Sequence, residues 1–569
     1  MTHDFWGNHL WEEERSTHKS FRPIPTVLWR YCVSFLWKCV CRLIAWFQGG
    51  VYPFGFRFAC CIGHVVATFL LLRVSRYVNG EYMSIWGGML FACHPIHCEN
   101  LAYIVGFADC LSTIFMACAI LCLKRRFVCL GLCLLSSLSK ESGFVCFPLC
   151  FLLNAMSGNR GLLFWGLCTI LAPLVRFWYV GGSPVNFAYV DVPYIYEPDW
   201  WKRGLSYLHV HSVYLRLLFF PWNQSWDYSF NAVPIVESLV DLRMLGPVCA
   251  YLLVSALVWW SRRRIGPFVG TCLGIFSFVP SSSLFLAVGT VVGERLLYPV
   301  TFGVAIVCSA CSPRKWTISF FIACYMYLFN ARLTVWSSKF SLYETDALAW
   351  PRSCKTLHQY GAVAAGVHSG EHVLRILNES LSIFDDNALT DYLISQILLE
   401  KKEWKNAIQI HNKIANGHGI GFTDFSRFMF LVDAGFALIA QECDKYVFNA
   451  ISADLLVYAA RIVEEGLEIF PYVAYAHNAL GVAYAHIGDL NLAKSHLDFA
   501  LSLNVSNSLV WNNLAVVYTR MNLTEIAHEC AERSNLGVSH VWTAGDAQES
   551  AKLAAGNLGK LELFYDRMT

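Results

Sequence analysis

Up to about residue 332 the chain alternates long apolar runs with short polar connections, and beyond that point the pattern turns amphipathic and more charged. A helix that crosses a bilayer needs about 20 mostly apolar residues. The runs 58–72, 82–92, 101–123, 162–180, 244–260, 267–286, 296–307 and 316–329 therefore predict membrane helices. Two shorter runs, 127–138 and 144–153, predict a helical pair that turns at "SKESG". The run 205–220 carries His209, His211 and Arg216. A full crossing there would break the alternation of the loops, so it predicts a re-entrant or interfacial helix.

No apolar run after residue 332 is long enough to cross a bilayer. Instead a period of 34 residues emerges: "HNALGVAYAHIGDLNLAKSHLDFAL" realigns with "WNNLAVVYTRMNLTEIAHECAERS", matching Leu480, Gly481, Tyr484 and Ala493 to Leu514, Ala515, Tyr518 and Ala527. Small residues where paired helices cross and large apolar ones between them make this the tetratricopeptide pattern. The clearest repeats are 474–507 and 508–541; weaker copies begin near Leu357, Asp391 and Asp424, with an insertion at about 442–452. The expected organisation is all-α: a polytopic membrane domain over 1–332 and a tetratricopeptide-repeat solenoid over 333–569.

Composition agrees with that division. Of 569 residues 56% are hydrophobic, 15% aromatic and only 15% charged, with a mean hydropathy of +0.44, too apolar for a soluble globule. A net charge of +2 gives no indication of a nucleic-acid partner. The 23 cysteines lie mostly inside apolar runs, where they read as small buried residues, and no CxxC pair with a second pair marks a zinc site. No metal centre is expected.

Charge also sets orientation, because short loops rich in Lys and Arg stay in the cytosol. The clusters Lys124-Arg125-Arg126, Arg262-Arg263-Arg264 and Arg314-Lys315 mark that side, with Arg73, Arg76 and Arg160 as weaker markers. Threading the runs between them places "HPIHCEN", "SKESG", "FPWNQSWDYS" and "VGTVVGER" together on the opposite, luminal side. The repeat domain follows them there. Glycosylation sequons at Asn223, Asn378, Asn504 and Asn522 fall on the same side.

Ionisable residues in such an apolar chain concentrate in these loops. His94, His97 and Glu99 lack a fourth ligand and form a weak metal signature; polar helix ends at the membrane interface are the plain alternative. Lys140 and Glu141 sit at the tip of the short helical pair, an ordinary position for a solvated turn. Glu294 and Arg295 open a luminal helix, where an arginine fork suits a phosphate group or snorkels to lipid headgroups. At the N-terminus Asp4 precedes Phe5 and Trp6, and Lys19 and Arg22 precede Pro23. A carboxylate among rings and cations suits general-base work on a hydroxyl beside a phosphate-bearing donor.

"NHLWEEERSTHKSFRP", "LFACHPIHCENLAYIVGFAD", "SLSKESG", "FFPWNQSWDYS" and "VVGERLLYP" stand in this order before the repeats. The set resembles the transmembrane and tetratricopeptide repeat-containing family of endoplasmic-reticulum protein O-mannosyltransferases. That resemblance implies a GT-C-like membrane fold and dolichyl-phosphate mannose as donor, with inverting transfer to Ser/Thr hydroxyls of cadherin-type acceptors in the ER lumen. It implies Asp4 and Glu99 as catalytic carboxylates. The substrate-binding residues it implies are Lys19, Arg22, His94, His97, Asp109, Lys140, Glu141, Glu294 and Arg295. No cofactor is expected, and a divalent cation finds no support in the residue pattern. Family members place a membrane span and an acidic luminal pair ahead of "DFWG", whereas this chain reaches that motif directly from Met1; Phe107 stands where the family has arginine. The expectation is a chain without its first acidic loop, and the competing reading is a catalytically inactive ER-membrane scaffold whose repeats bind a luminal partner.

Overall fold

The structure is a computed structural model. It describes residues 22–28, 53–79, 81–158, 161–180, 187, 189, 191–285, 287–310, 315–401, 403–415, 431–432, 435, 438–439, 453–469, 471–503 and 508–534. Its described residues are helical or irregular, with no strand among them, as an all-α chain requires. The chain divides into two compact units, Met1–Gly366 and Val367–Thr569.

The first unit opens with a short helix, α1 (Pro23–Val27), and continues with α2 (Pro53–Asn79), α3 (Glu81–Ala92), α4 (His97–Ala102) and α5 (Phe107–Leu121). Next come the helical pair α6 (Arg126–Ser139) and α7 (Cys146–Met156), then α8 (Leu162–Tyr179) and α9 (Trp200–Phe219). The unit closes with α10 (Leu245–Ser261), α11 (Ile265–Phe278), α12 (Tyr298–Ala310), α13 (Lys315–Val335), α14 (Lys339–Ala349) and α15 (Cys354–Ala364). Among the described residues, five segments are long and apolar enough to cross a membrane: Gly55–Asn79, Ile104–Leu121, Leu162–Tyr179, Leu242–Ser261 and Trp316–Val335. In α8 only Trp165 is buried, while Leu163 and Trp178 each stay 78% exposed. A helix apolar on all faces with one buried residue needs an apolar solvent, and lipid supplies it.

Other helices depart from that pattern. The run at 205–220 forms α9, capped by Asp199 accepting from the Trp201 amide at 2.9 Å. Its buried stripe, including Val210, Tyr214 and Leu217, packs on Ile96, Tyr228 and Val292, which makes it a core helix of the loop side. Helices α11 and α12 approach closely enough that a Cβ on Gly303 would lie 2.5 Å from the Gly270 carbonyl oxygen, so only glycine fits there.

The residue pattern puts the domain boundary near 332, whereas packing keeps α14 and α15 in the first unit. Arg332 binds Asp346 of α14 through two contacts of 2.6 and 3.1 Å, and Asp346 also accepts from the Trp226 amide at 2.7 Å. Lys355 of α15 bridges Asp191 at 2.7 Å and Asp227 at 2.9 Å.

The second unit is built from helix hairpins. These include α16 (Gly370–Ile383), α17 (Ala388–Glu400), α18 (Trp404–Ala415) and α19 (Ala453–Ile469). The two clearest repeats are α20 (Ala474–Ile487) with α21 (Leu490–Leu503), and α22 (Ser508–Arg520) with α23 (Thr524–Arg533). Gly481 lets the Leu497 side chain reach the backbone of its partner helix, and Ala493, Leu497 and Leu514 fill the core between repeats. Gly488 ends α20 in the left-handed region at φ 100°, which favours glycine. The insertion at 442–452, Asp424 and Asn504 lie outside the described residues.

Candidate functional site

Three separated loops of the first unit supply one continuous ion cluster. The tip between α6 and α7 is a tight 3-10 turn, Glu141–Val145, folded back on the helix it leaves. A Cβ on Gly143 would sit 2.2 Å from the Ser136 carbonyl oxygen, so this close return requires glycine. The tip carries Lys140, 5% exposed, whose ammonium pairs with the carboxylate of Asp109 in the first turn of α5. Glu141 beside it accepts from Arg22 at 2.8 Å and from Arg176, in the last turn of α8, at 2.7 Å. From a third loop, Arg295 donates its amide to Glu99 Oε2 at 3.0 Å, and its guanidinium lies 3.6 Å from Oε1 and over the Tyr103 ring. Arg22 and Arg295 are both near enough to act electrostatically on Lys140, which joins the pairs into one cluster.

Charge in this cluster does not cancel. Among the described residues, Arg22, Lys140, Arg176 and Arg295 face Glu99, Asp109 and Glu141, four cations against three carboxylates. Burial pushes the Glu99 carboxyl above its usual range, against the pull of Arg295. The Arg295 side chain is 27% exposed, against 1% for Asp109 at the inner end. Arg295 is the most exposed of the four cations.

The two histidines of "HPIHCEN" are spent on the protein itself. His94 Nε2 meets the Leu218 carbonyl at 2.9 Å, and His97 Nε2 meets Thr301 Oγ1 at 2.8 Å inside an aromatic nest of Phe91 and Tyr298. Burial pulls the imidazole of His94 down to about 4 and that of His97 well below its usual value. Neither ring carries positive charge at neutral pH, and both act as packed internal groups.

Glu294 is likewise committed to a neighbouring loop. It accepts from Gln224 Nε2 at 2.6 Å, the Ser225 amide at 2.8 Å and Tyr228 OH at 2.6 Å, so it clamps "NQSWDYS" in place. Burial raises its carboxyl to about 7. Glu294 thereby positions the loop next to Arg295 and does not point into the cluster. Asp4 and Lys19 lie outside the described residues. Arg176 escaped the reading of the sequence, although a single arginine in the last turn of an otherwise apolar helix was the available signal.

A polytopic all-α membrane protein with a tetratricopeptide-repeat array and a net-positive buried ion cluster is the class this architecture defines. The family described as "Protein O-mannosyl-transferase TMTC, DUF1736" matches residues 181–255. Among curated proteins, the chain is 26% identical over 383 residues to the Caenorhabditis elegans protein O-mannosyl-transferase F38B6.6, covering 64% of this chain and 53% of that protein. It is 31% identical over 291 residues to Drosophila melanogaster Tmtc2 (47% and 29% covered) and 28% identical over 364 residues to mouse TMTC4 (52% and 47%). The chain is thus similar, over part of its length, to the TMTC protein O-mannosyl-transferases. It spans about half the length of these relatives or less. Among solved structures, YrrB, "a TPR protein with an unusual peptide-binding site", overlaps 37% of this chain and 97% of its own, at 15% identity and a TM-score of 0.29.

Proposed function

We propose that the first unit transfers mannose from a polyprenyl-phosphate donor, dolichyl-phosphate mannose by family resemblance, to Ser/Thr hydroxyls of protein acceptors in the ER lumen. The observation that carries this reading is the convergence, among the described residues, of Arg22, Lys140, Arg176 and Arg295 on Glu99, Asp109 and Glu141. A phosphodiester is the anion such a cluster suits, and the arginine forks match its oxygens. In the transfer, the acceptor oxygen bonds to the sugar C1 as the C1–phosphate oxygen bond breaks, leaving dolichyl phosphate. Arg295 stabilises the charge developing on that leaving group. When Arg295 turns to the phosphate, Glu99 loses its partner and becomes free to take the hydroxyl proton. Burial, which pushes its carboxyl upward, makes it a stronger base than an exposed carboxylate. Cadherin-type domains are the acceptors the family resemblance favours, and the repeats serve to bring them to the membrane unit.

The test uses membranes carrying the full chain, labelled dolichyl-phosphate mannose and an acceptor domain. Wild type transfers label, Arg295→Ala loses transfer while remaining folded, and Arg295→Lys keeps part of it. Full activity in Arg295→Ala would remove this assignment. A second reading, a luminal scaffold without catalysis, draws on Phe107: where the family has arginine, this apolar side chain packs with Cys60 and Leu111. It predicts no label transfer by wild type, together with acceptor binding by the repeats.

A further inference from the structure

We propose that the helical pair α6–α7 holds a thiophilic divalent cation of the zinc type on four cysteines. Cys129 and Cys133 lie four residues apart on α6, and Cys146 and Cys150 four apart on α7, so each pair occupies one face of its helix. The two faces meet. Cys133 Sγ lies 3.2 Å from Cys146 Sγ, Cys129 Sγ 3.6 Å from Cys150 Sγ, and the diagonal from Cys133 to Cys150 is 3.8 Å. The sulfurs of Cys129, Cys133 and Cys150 all lie within 4.8 Å of one another, and all four cysteines are fully buried.

Zinc–thiolate bonds of about 2.3 Å set the sulfurs of a tetrahedral site roughly 3.8 Å apart, close to the 3.6 Å and 3.8 Å of the Cys129–Cys150 and Cys133–Cys150 pairs, and Cys146, outside that group of three, completes the site by turning its side chain toward the ion. Small side chains that merely fill a helix interface have no reason to aim four sulfur atoms at one point. Binding exchanges protons for the ion: M2+ and four thiols give the tetrathiolate M(SR)4 2− and four protons released to water. Lys124, Arg125 and Arg126 sit one turn before Cys129 as the nearest cationic run in sequence. The consequence is mechanical. The ion pins α6 to α7 one turn below the tip that presents Lys140 and Glu141.

This inference stands apart from the proposed transfer reaction, and its readout is metal content. The full chain is purified in detergent with zinc and reductant, desalted, and its metal measured by mass spectrometry. One zinc per chain is expected, and replacing it with Cd2+ should give the ultraviolet thiolate-to-cadmium charge-transfer band. Cys133→Ser/Cys150→Ser should lose both signals, while Cys61→Ser/Cys249→Ser, at exposed positions, keeps them. The wild-type measurement decides even where the first variant does not fold. A monodisperse wild type with neither zinc nor the cadmium band overturns the proposal. So does equal metal in Cys133→Ser/Cys150→Ser, or alkylation mapping that finds the four thiols joined as disulfides.

Discussion

Lys140→Met isolates the innermost pair of the cluster. The Asp109 and Lys140 side chains are 1% and 6% exposed, and among the described residues Asp109 Oδ2 has no hydrogen-bond partner. Removing Lys140 strands a carboxylate where water cannot reach it. Breaking one side of such a buried pair costs about 3–5 kcal/mol, whereas replacing both partners with apolar groups of similar volume is neutral or stabilising. Lys140→Met should therefore lose about 3–5 kcal/mol, and adding Asp109→Leu should recover most of it, giving a coupling energy of about 3 kcal/mol or more. Pulse proteolysis of the full chain in detergent micelles measures both variants. A double variant as unstable as Lys140→Met would refute the reasoning, and so would a Lys140→Met protein within about 1 kcal/mol of wild type, because an exposed pair is worth only that much.

Two further substitutions test the supports of the site. Gly143→Ala drives a methyl group into the Ser136 backbone and should cost about 1–3 kcal/mol while displacing Lys140 and Glu141; an unchanged melting temperature would contradict the close return of the tip. Glu294, whose carboxyl is raised from 4.5 to about 7 by burial, binds its proton more tightly in the folded protein than in the unfolded chain. Its contribution is present below about pH 4.5 and is lost as pH rises through about 7. Wild type should therefore lose more thermal stability between about pH 5 and about pH 8 than Glu294→Gln, and parallel pH profiles would remove Glu294 as the cause.

Much of this organisation is legible along the chain because apolar runs and a 34-residue period are local signals. The loops at 94–99, 140–141 and 294–295 also stand out, since charged groups in so apolar a chain are costly and therefore few. Their pairings are not local. Glu141 meets Arg176 35 positions on, His97 meets Thr301 204 positions on, and Glu294 closes on a loop 70 positions back, distances over which no periodicity carries information. That is why the engagement of His94, His97 and Glu294 with the protein, at positions the family resemblance implies as substrate contacts, is not legible from residue type. Arg332 and Asp346 illustrate the same limit at the boundary. Composition changes near 332, yet a buried ion pair draws α14 back onto the first unit. The cysteines showed their four-residue spacing on each helix, but the alignment of the two faces exists only once the tip has folded.

The cation cluster is proposed to hold the phosphate of a lipid-linked sugar. Equilibrium binding of a short polyprenyl phosphate, against the matching uncharged polyprenol, to the purified full chain tests it most directly. Charge-assisted hydrogen bonds from arginine contribute about 1.5–3 kcal/mol, so the phosphate should bind roughly 10- to 150-fold more tightly than the alcohol, and Arg295→Ala should erase most of that difference. Equal affinity for phosphate and alcohol, or an Arg295→Ala protein that discriminates as wild type does, would contradict the account.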